Sequence, residues 1–197
     1  MIRRINLFGG PGSGKSTTAA RLFASLKADM MRIELVREYV KNWAYEDRKI
    51  TGFDQLYLFA KQLRMEDILL RNGVDLIVTD SPLSLSTCFA ERYGHKGMEG
   101  LREIAKDFER HYPSLNIFVL RNDKPYVKLG RYETYEQAKE LDKIITDHMM
   151  DNQLTFVKKN FDDYSDIYKY VKTNIEEANR QEQLKRDIQD QTGWKDE

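Results

Sequence analysis

The chain has one cysteine among its 197 residues, Cys88, so no disulfide can close within it. That suits a reducing compartment. Its three histidines, His95, His111 and His148, are scattered, and with a single thiol they offer no zinc-ligand spacing. Net charge is also missing: 32 Lys and Arg residues balance 32 Asp and Glu residues. A protein that grips duplex DNA along a long groove is usually basic, so any polyanion would have to meet a local patch here. No apolar run approaches the roughly 20 residues of a membrane span. The N-terminus enters a strand pattern almost at once, which leaves no room for a signal peptide. There is no internal repeat and no low-complexity segment. What remains is the profile of a soluble, cytoplasmic enzyme of one domain, long enough for a full core.

What is present is concentrated glycine. The stretch Gly9-Gly10-Pro11-Gly12-Ser13-Gly14-Lys15-Ser16-Thr17 fits G-x-x-x-x-G-K-[ST], the phosphate-binding loop. An apolar run, Ile5 to Phe8, precedes it and a helical pattern follows, the context the motif requires. Glycines let backbone N–H groups turn inward around a phosphate chain, and the next helix adds its positive end. Gly10, Gly12, Ser13, Gly14, Lys15, Ser16 and Thr17 are the expected nucleotide cradle. Lys15 can reach the β- and γ-phosphates of ATP, and the Ser16 hydroxyl can ligate Mg²⁺.

Periodicity orders the rest. Strands are expected at Arg3 to Phe8, Met31 to Val36, Val74 to Thr79, Leu115 to Leu120 and Ile167 to Val171. Helices are expected from Gly14, over Phe53 to Arg71 with Leu56, Phe59, Ala60 and Leu63 as the apolar stripe, over Leu83 to Arg92, and over Leu101 to His111. Tyr93 to Gly100 reads as a loop. A longer helix, Tyr135 to Asn160, opens with Thr134-x-x-Gln137, a capping box. Residues 121–133 form an irregular, cation-rich lid, and residues 176–197 a polar helix or tail. Strands alternating with helices mean a three-layer α/β fold on a five-stranded parallel sheet, with ligands beyond the strands' C-terminal ends.

That topology gathers the candidate chemistry in one crevice. Asp80 closes an apolar strand and can hold Mg²⁺ directly or through water, or simply cap the next helix. Glu38 ends the second strand, where a carboxylate can take the proton of an acceptor hydroxyl. A surface ion pair with Arg37 or Lys41 is the plainer alternative. Trp43 and Tyr45 could stack on a base or belong to the core. Gln55, Gln62 and Arg64 could read a base or merely face water. Arg121, Lys124, Lys128 and Arg131 follow the fourth strand. At least one of them, Arg131 first, is expected to neutralise a migrating phosphoryl group.

With these residues in place, the chain resembles the nucleoside and nucleotide kinase group of P-loop NTPase-fold enzymes, from residue 3 to about 171. Glu38 with Trp43 is similar to the E-P-V-x-x-W segment of deoxynucleoside kinases, with Tyr39 in place of the Pro. Val36 to Lys41 is similar to the E-Y-x-R segment of nicotinamide-riboside kinases. Asp80-Ser81-Pro82 is similar to the acidic motif that ends their third strand. Lys124-Pro125-Tyr126, Gly130-Arg131, Thr134, Glu136, Ala138 and Asp142 resemble the K-P-Y…G-R…T-x-E-x-A…D segment of bacteriophage-type kinases. That group includes kinases of 5-hydroxymethylpyrimidines in DNA. The resemblance implies an ATP- and Mg²⁺-dependent phosphotransferase with Glu38 as base and a nucleoside-type hydroxyl as acceptor. Two acceptors stay open: the 5-hydroxymethyl group of a modified pyrimidine in phage DNA, and a free nucleoside or nucleoside monophosphate. A phage origin would put the enzyme in the host cytoplasm. An ATPase switch coupled to a partner is the other class, and the oligomeric state is not legible.

Overall fold

The computed structural model, which describes residues 1–92, 98–122 and 125–192, is built on one parallel sheet. Its strands are β1 (Arg4–Phe8), β2 (Ile33–Val36), β3 (Leu76–Thr79), β4 (Ser114–Leu120) and β5 (Phe156–Asn160). They lie in the order β2-β3-β1-β4-β5, every neighbouring pair parallel. The helices are α1 (Lys15–Ala28), α2 (Lys41–Tyr45), α3 (Asp54–Leu70), α4 (Leu83–Arg92), α5 (Met98–His111), α6 (Tyr135–Asp151) and α7 (Tyr164–Thr192).

Both faces of the sheet are covered. In β1, Ile5 and Leu7 face one way, onto Ala19, Leu22 and Leu26 of α1 and Ile167, Val171 and Ile175 of α7. Phe8 faces the other way, onto Leu85 and Cys88 of α4 and Leu141, Ile145 and Met149 of α6. Val36 and Ile77 meet Phe59 and Leu70 of α3, and Leu101 and Phe108 of α5. Each buried side chain of this kind contributes roughly 1.5–3 kcal/mol. The ends of β1, β2, β3 and β4 therefore point their following segments into a common rim.

One charged group is built into this interior. Arg4 is buried at the start of β1, where its guanidinium meets Glu66 of α3 at 3.2 Å and Glu109 of α5. Its Nε donates to the Tyr112 carbonyl at 2.8 Å, and it lies over the Phe108 ring. A guanidinium so paired ties the first strand to two helices on one face.

Several expectations need correction. Residues 156–160 are a strand, not the end of a long helix, and Ile167 to Val171 belongs to α7, not to a strand. The edge strand β5 carries Lys158 and Lys159 and is only half buried, so it shows little apolar signal. Ile167, Val171 and Ile175 recur at every fourth residue, the spacing of a helix face. The stripe assigned to α3 is also displaced. Leu56 is 48% exposed and Ala60 faces water, while Gln55, Leu58, Phe59, Gln62, Glu66 and Leu70 are buried. Polar residues occupy that face because each meets the cleft or a charged partner. Helix α5 starts at Met98, inside the expected loop, and residues 93–97, His95 among them, lie outside the described residues. The capping box of Thr134 and Gln137 is present as expected. Beyond residue 176, α7 continues as a helix to Thr192.

Candidate active site

The cradle forms where β1 stops. Gly12 has φ +78°, a conformation that L side chains rarely adopt, and a Cβ there would stand 2.7 Å from the Tyr126 ring. Gly14 caps α1 in the left-handed region, with the Phe161 ring against its Cα. Ser13 is buried and its hydroxyl has no partner among the described residues. Lys15 Nζ donates to the Gly9 carbonyl at 2.6 Å and the Gly10 carbonyl at 3.1 Å. Burial holds the Lys15 pKa below its ordinary value, against the opposing fields of Glu38, Asp80 and Asp142.

The loop is braced from outside the motif. Asp142 of α6 accepts the Gly10 N–H at 2.6 Å through one carboxylate oxygen. Its other oxygen accepts from Arg121 Nε at 2.5 Å. Arg121 also donates to the Pro11 carbonyl at 3.3 Å and the Ala138 carbonyl at 3.0 Å. Sequence reading set Arg121 among the phosphate-binding cations. The structure holds it instead as a strut under the loop.

Beside the loop opens a cleft of about 230 Å³. Lys15, Ser16 and Thr17 line one wall; Glu38, Tyr39 and Lys41 another; Gln55 and Gln62 of α3 the floor side; and Gly130 to Glu133 the fourth. Glu38 and Lys15 thus share one cavity. Burial pushes the Glu38 carboxyl up to about 7, with Lys15 pulling it down and Asp80 adding to the rise. Asp80 is buried behind it and accepts the Glu38 backbone N–H at 2.9 Å. That bond fixes the turn that aims Glu38. Among the described residues no cluster of three or more His, Cys, Asp or Glu side chains could cage a metal. Of the two residues expected to hold Mg²⁺, Ser16 lines the cleft and Asp80, buried behind Glu38, does not.

The remaining expected residues separate. Arg131 lines the cleft, with its guanidinium 5.1 Å from the Tyr126 ring centre and close to Gly12. Gln55 and Gln62 are buried in the cleft wall, so neither merely faces water. Gln62 Nε2 donates to Glu66 at 2.9 Å and to Thr79 Oγ1 at 3.3 Å, while its Oε1 has no partner among the described residues. Arg64 is exposed and outside the cleft, because the turn of α3 that buries Gln62 carries Arg64 to the far side. Trp43 is 4% exposed, stacked between Tyr57 and the Arg48 guanidinium, and does not line the cleft. It is a packing residue. Lys128 is exposed and outside the cleft; its carbonyl accepts the Arg131 N–H at 3.0 Å. Lys124 lies outside the described residues.

Sequence reading missed Glu133, a second carboxylate in the cleft, whose pKa burial raises while Arg92 and Lys15 oppose the rise. Nothing marks it among the charges of its segment. Residues 130–132 also fasten to the opposite wall. Gly130 packs on the Tyr45 ring, and Tyr132 OH donates to the Arg48 carbonyl at 2.7 Å. Tyr45 is thus taken up by this contact.

A family model described as an AAA domain matches residues 4–166, from the first residue of β1 into the first turn of α7. The chain belongs to this AAA-domain family. The AAA domain here carries the α/β fold of P-loop NTPases, with the Gly9–Thr17 loop running from the end of β1 into α1. No curated protein matches the sequence. Among solved structures, the chain is similar to one described as the crystal structure of NadR protein in complex with NR. The TM-score is 0.60 and the identity 14%, over 79% of this chain; this AAA domain spans 45% of that chain. At that identity the likeness speaks for the fold. No helix among the described residues is long and apolar enough to cross a membrane.

Proposed function

We propose that this AAA domain is an ATP- and Mg²⁺-dependent kinase that transfers the γ-phosphoryl group to a nucleoside-type hydroxyl. The observation that carries the reading is Glu38, a carboxylate shifted to about 7 in the same cleft as the phosphate-loop lysine. A base poised near the working pH combines ionisation with driving force for proton transfer. A hydrolytic switch would use the same base on water, so dependence of phosphate release on an acceptor is what separates the two.

In this reading the loop amides and Lys15 hold the phosphates of ATP. Ser16, and Asp80 through water, would hold Mg²⁺, which when bound would neutralise the β- and γ-oxygens. Asp80 also keeps the Glu38 backbone in register through the 2.9 Å bond. Glu38 takes the acceptor's hydroxyl proton as that oxygen bonds to the γ-phosphorus. The bond from the γ-phosphorus to the β,γ-bridging oxygen breaks, and ADP leaves with that oxygen. Arg131, on the segment covering the cleft, meets the charge spread over the migrating group. The proton on Glu38 returns to solvent.

The acceptor we favour is the 5-hydroxymethyl group of a modified pyrimidine in DNA. Support comes from the segment running from Pro125 to Asp142, which resembles bacteriophage-type kinases and here packs around the loop: Tyr126 on Gly12, Ala138 and Asp142 on Gly10. A second reading, a free nucleoside, draws support from the similarity to a NadR protein structure in complex with NR. Incubation with γ-labelled ATP separates the readings. Label on hydroxymethylated DNA supports the first, and label on free nucleosides alone ends it. Phosphate release that no acceptor stimulates would end the kinase reading altogether.

A further inference from the structure

We propose that Glu66, held by Arg4, fixes the Gln62 amide so that this part of the cleft wall can accept a hydrogen bond but not donate one, and the cleft therefore selects an organic substrate whose ring carries an N–H donor. The selection rests on the kinase reading of this same cleft and names what the substrate of that kinase must bring. Gln62 lines the cleft; Glu66 and Arg4 do not, and they act through it as positioning residues.

An amide side chain has two ends of opposite character: its oxygen accepts and its nitrogen donates. A loosely held glutamine turns over about its last bond and serves either kind of partner. Gln62 is held. It is 2% exposed, and its Nε2 donates to Glu66 Oε1 at 2.9 Å and to Thr79 Oγ1 at 3.3 Å. The other Glu66 oxygen accepts from Arg4 Nη1 at 3.2 Å, and the same guanidinium meets Glu109. Burial pushes the Glu66 carboxyl up, and Arg4 opposes the rise. Beside a guanidinium that keeps its protons, Glu66 is the accepting partner.

Turning the Gln62 amide over would set its oxygen against that carboxylate, two acceptors in contact out of reach of water. The oxygen is thus the polar atom that Gln62 has left for an occupant, and it is buried with no partner among the described residues. An orphaned buried acceptor is costly, so a substrate N–H that reaches it gains what a substrate lone pair would lose. The surroundings suit a ring. Leu58, one helical turn before Gln62, lines the cleft, as do Leu85 and Phe89 of α4. Among apolar walls a hydrogen bond discriminates more sharply than it does in water. Lys15 and Glu38 line the same cleft, so the selection acts on the substrate of the proposed transfer.

The test compares two nucleosides that differ by one amino group. One is 5-hydroxymethyl-2′-deoxycytidine; the other is the 2′-deoxynucleoside of 5-hydroxymethylpyrimidin-2-one, whose ring has no N–H. Binding to the full chain by calorimetry, and kcat/KM for transfer from ATP, are measured on wild type, Gln62→Leu and Glu66→Gln. We expect wild type to prefer the amino nucleoside by about tenfold or more. Gln62→Leu keeps an apolar filling and drops the acceptor, so the preference should vanish through weaker binding of the amino nucleoside. Glu66→Gln lets the Gln62 amide turn over, so the preference should shrink while the other nucleoside binds more tightly. Should Glu66→Gln melt early, Arg4→Met with Glu66→Met, which leaves no charge behind, takes its place. Equal binding of the two nucleosides by wild type, binding of neither, or a preference that persists in Gln62→Leu overturns the selection. A preference that the Glu66 variants leave intact overturns the positioning role. Selective binding without transfer sustains the proposal and removes the kinase reading instead.

Discussion

Substituting Glu38 and varying pH test the proposed chemistry most directly. Its pKa stands at about 7 against an ordinary 4.5. By the usual conversion that shift corresponds to roughly 3 kcal/mol of penalty on the charged form. At pH 6 about one glutamate in ten would be ionised, and at pH 8 nearly all. We expect kcat/KM to climb about tenfold between those values, with an apparent pKa near 7. The sign for stability is opposite. A carboxyl whose folded pKa is raised favours the fold below its unfolded value, and that contribution is lost as pH rises through the folded pKa. Glu38→Gln should therefore lose at least a hundredfold in transfer while unfolding at a higher temperature than wild type at pH 8. Near pH 4 the two midpoints should converge. Steady-state rates from pH 5.5 to 8.5, with melting curves on both proteins, supply the check. A flat profile in wild type, or a rising limb that survives in Glu38→Gln, refutes the assignment of the base.

Three other outcomes follow from the geometry. Asp142→Ala leaves the Gly10 N–H and the Arg121 Nε–H without their acceptor, so ATP affinity measured by calorimetry should fall about tenfold, in line with about 1–3 kcal/mol for orphaned buried groups; unchanged affinity would dismiss the strut. Arg4→Met strands the Glu66 carboxylate and should cost about 3–5 kcal/mol in denaturant unfolding, most of it recovered when Glu66→Met is added. Simple additivity of the two would show that the pair is not coupled. Lys15→Ala should weaken nucleotide binding and transfer together, because its ammonium sits over the loop carbonyls; full transfer in that variant would contradict its placement.

The parts of this protein that can be read from sequence are those where one residue type answers one physical demand. The phosphate loop needs small residues and a lysine in order, so Gly9–Thr17 announced itself. Strands buried on both faces are continuous apolar runs, and β1, β3 and β4 were therefore found in place. β5 was not, because an edge strand bearing Lys158 and Lys159 has no such run, and the Ile167–Val171 segment of α7 supplied a false one. The inner face of α3 escaped for a related reason. Glu66 is buried with Arg4, 62 residues away in sequence, as its partner, and Gln62 donates to Glu66 in turn. In the site, Glu38 and Asp80 were marked by their positions after strands. Glu133 and the bracing role of Arg121 depend on how residues 125–142 fold back over the loop, which no local spacing encodes.

That fold-back has a kinetic corollary. Residues 130–132 are clipped to the wall opposite the phosphate loop, Gly130 against the Tyr45 ring and the Tyr132 hydroxyl to the Arg48 carbonyl. In the proposed kinase, lifting this segment to exchange ADP for ATP would also loosen the wall beside the acceptor, and the two substrates would not come and go independently. Excess acceptor should then trap ADP and slow turnover, a signature visible as substrate inhibition that fades when the Tyr132 hydroxyl is removed.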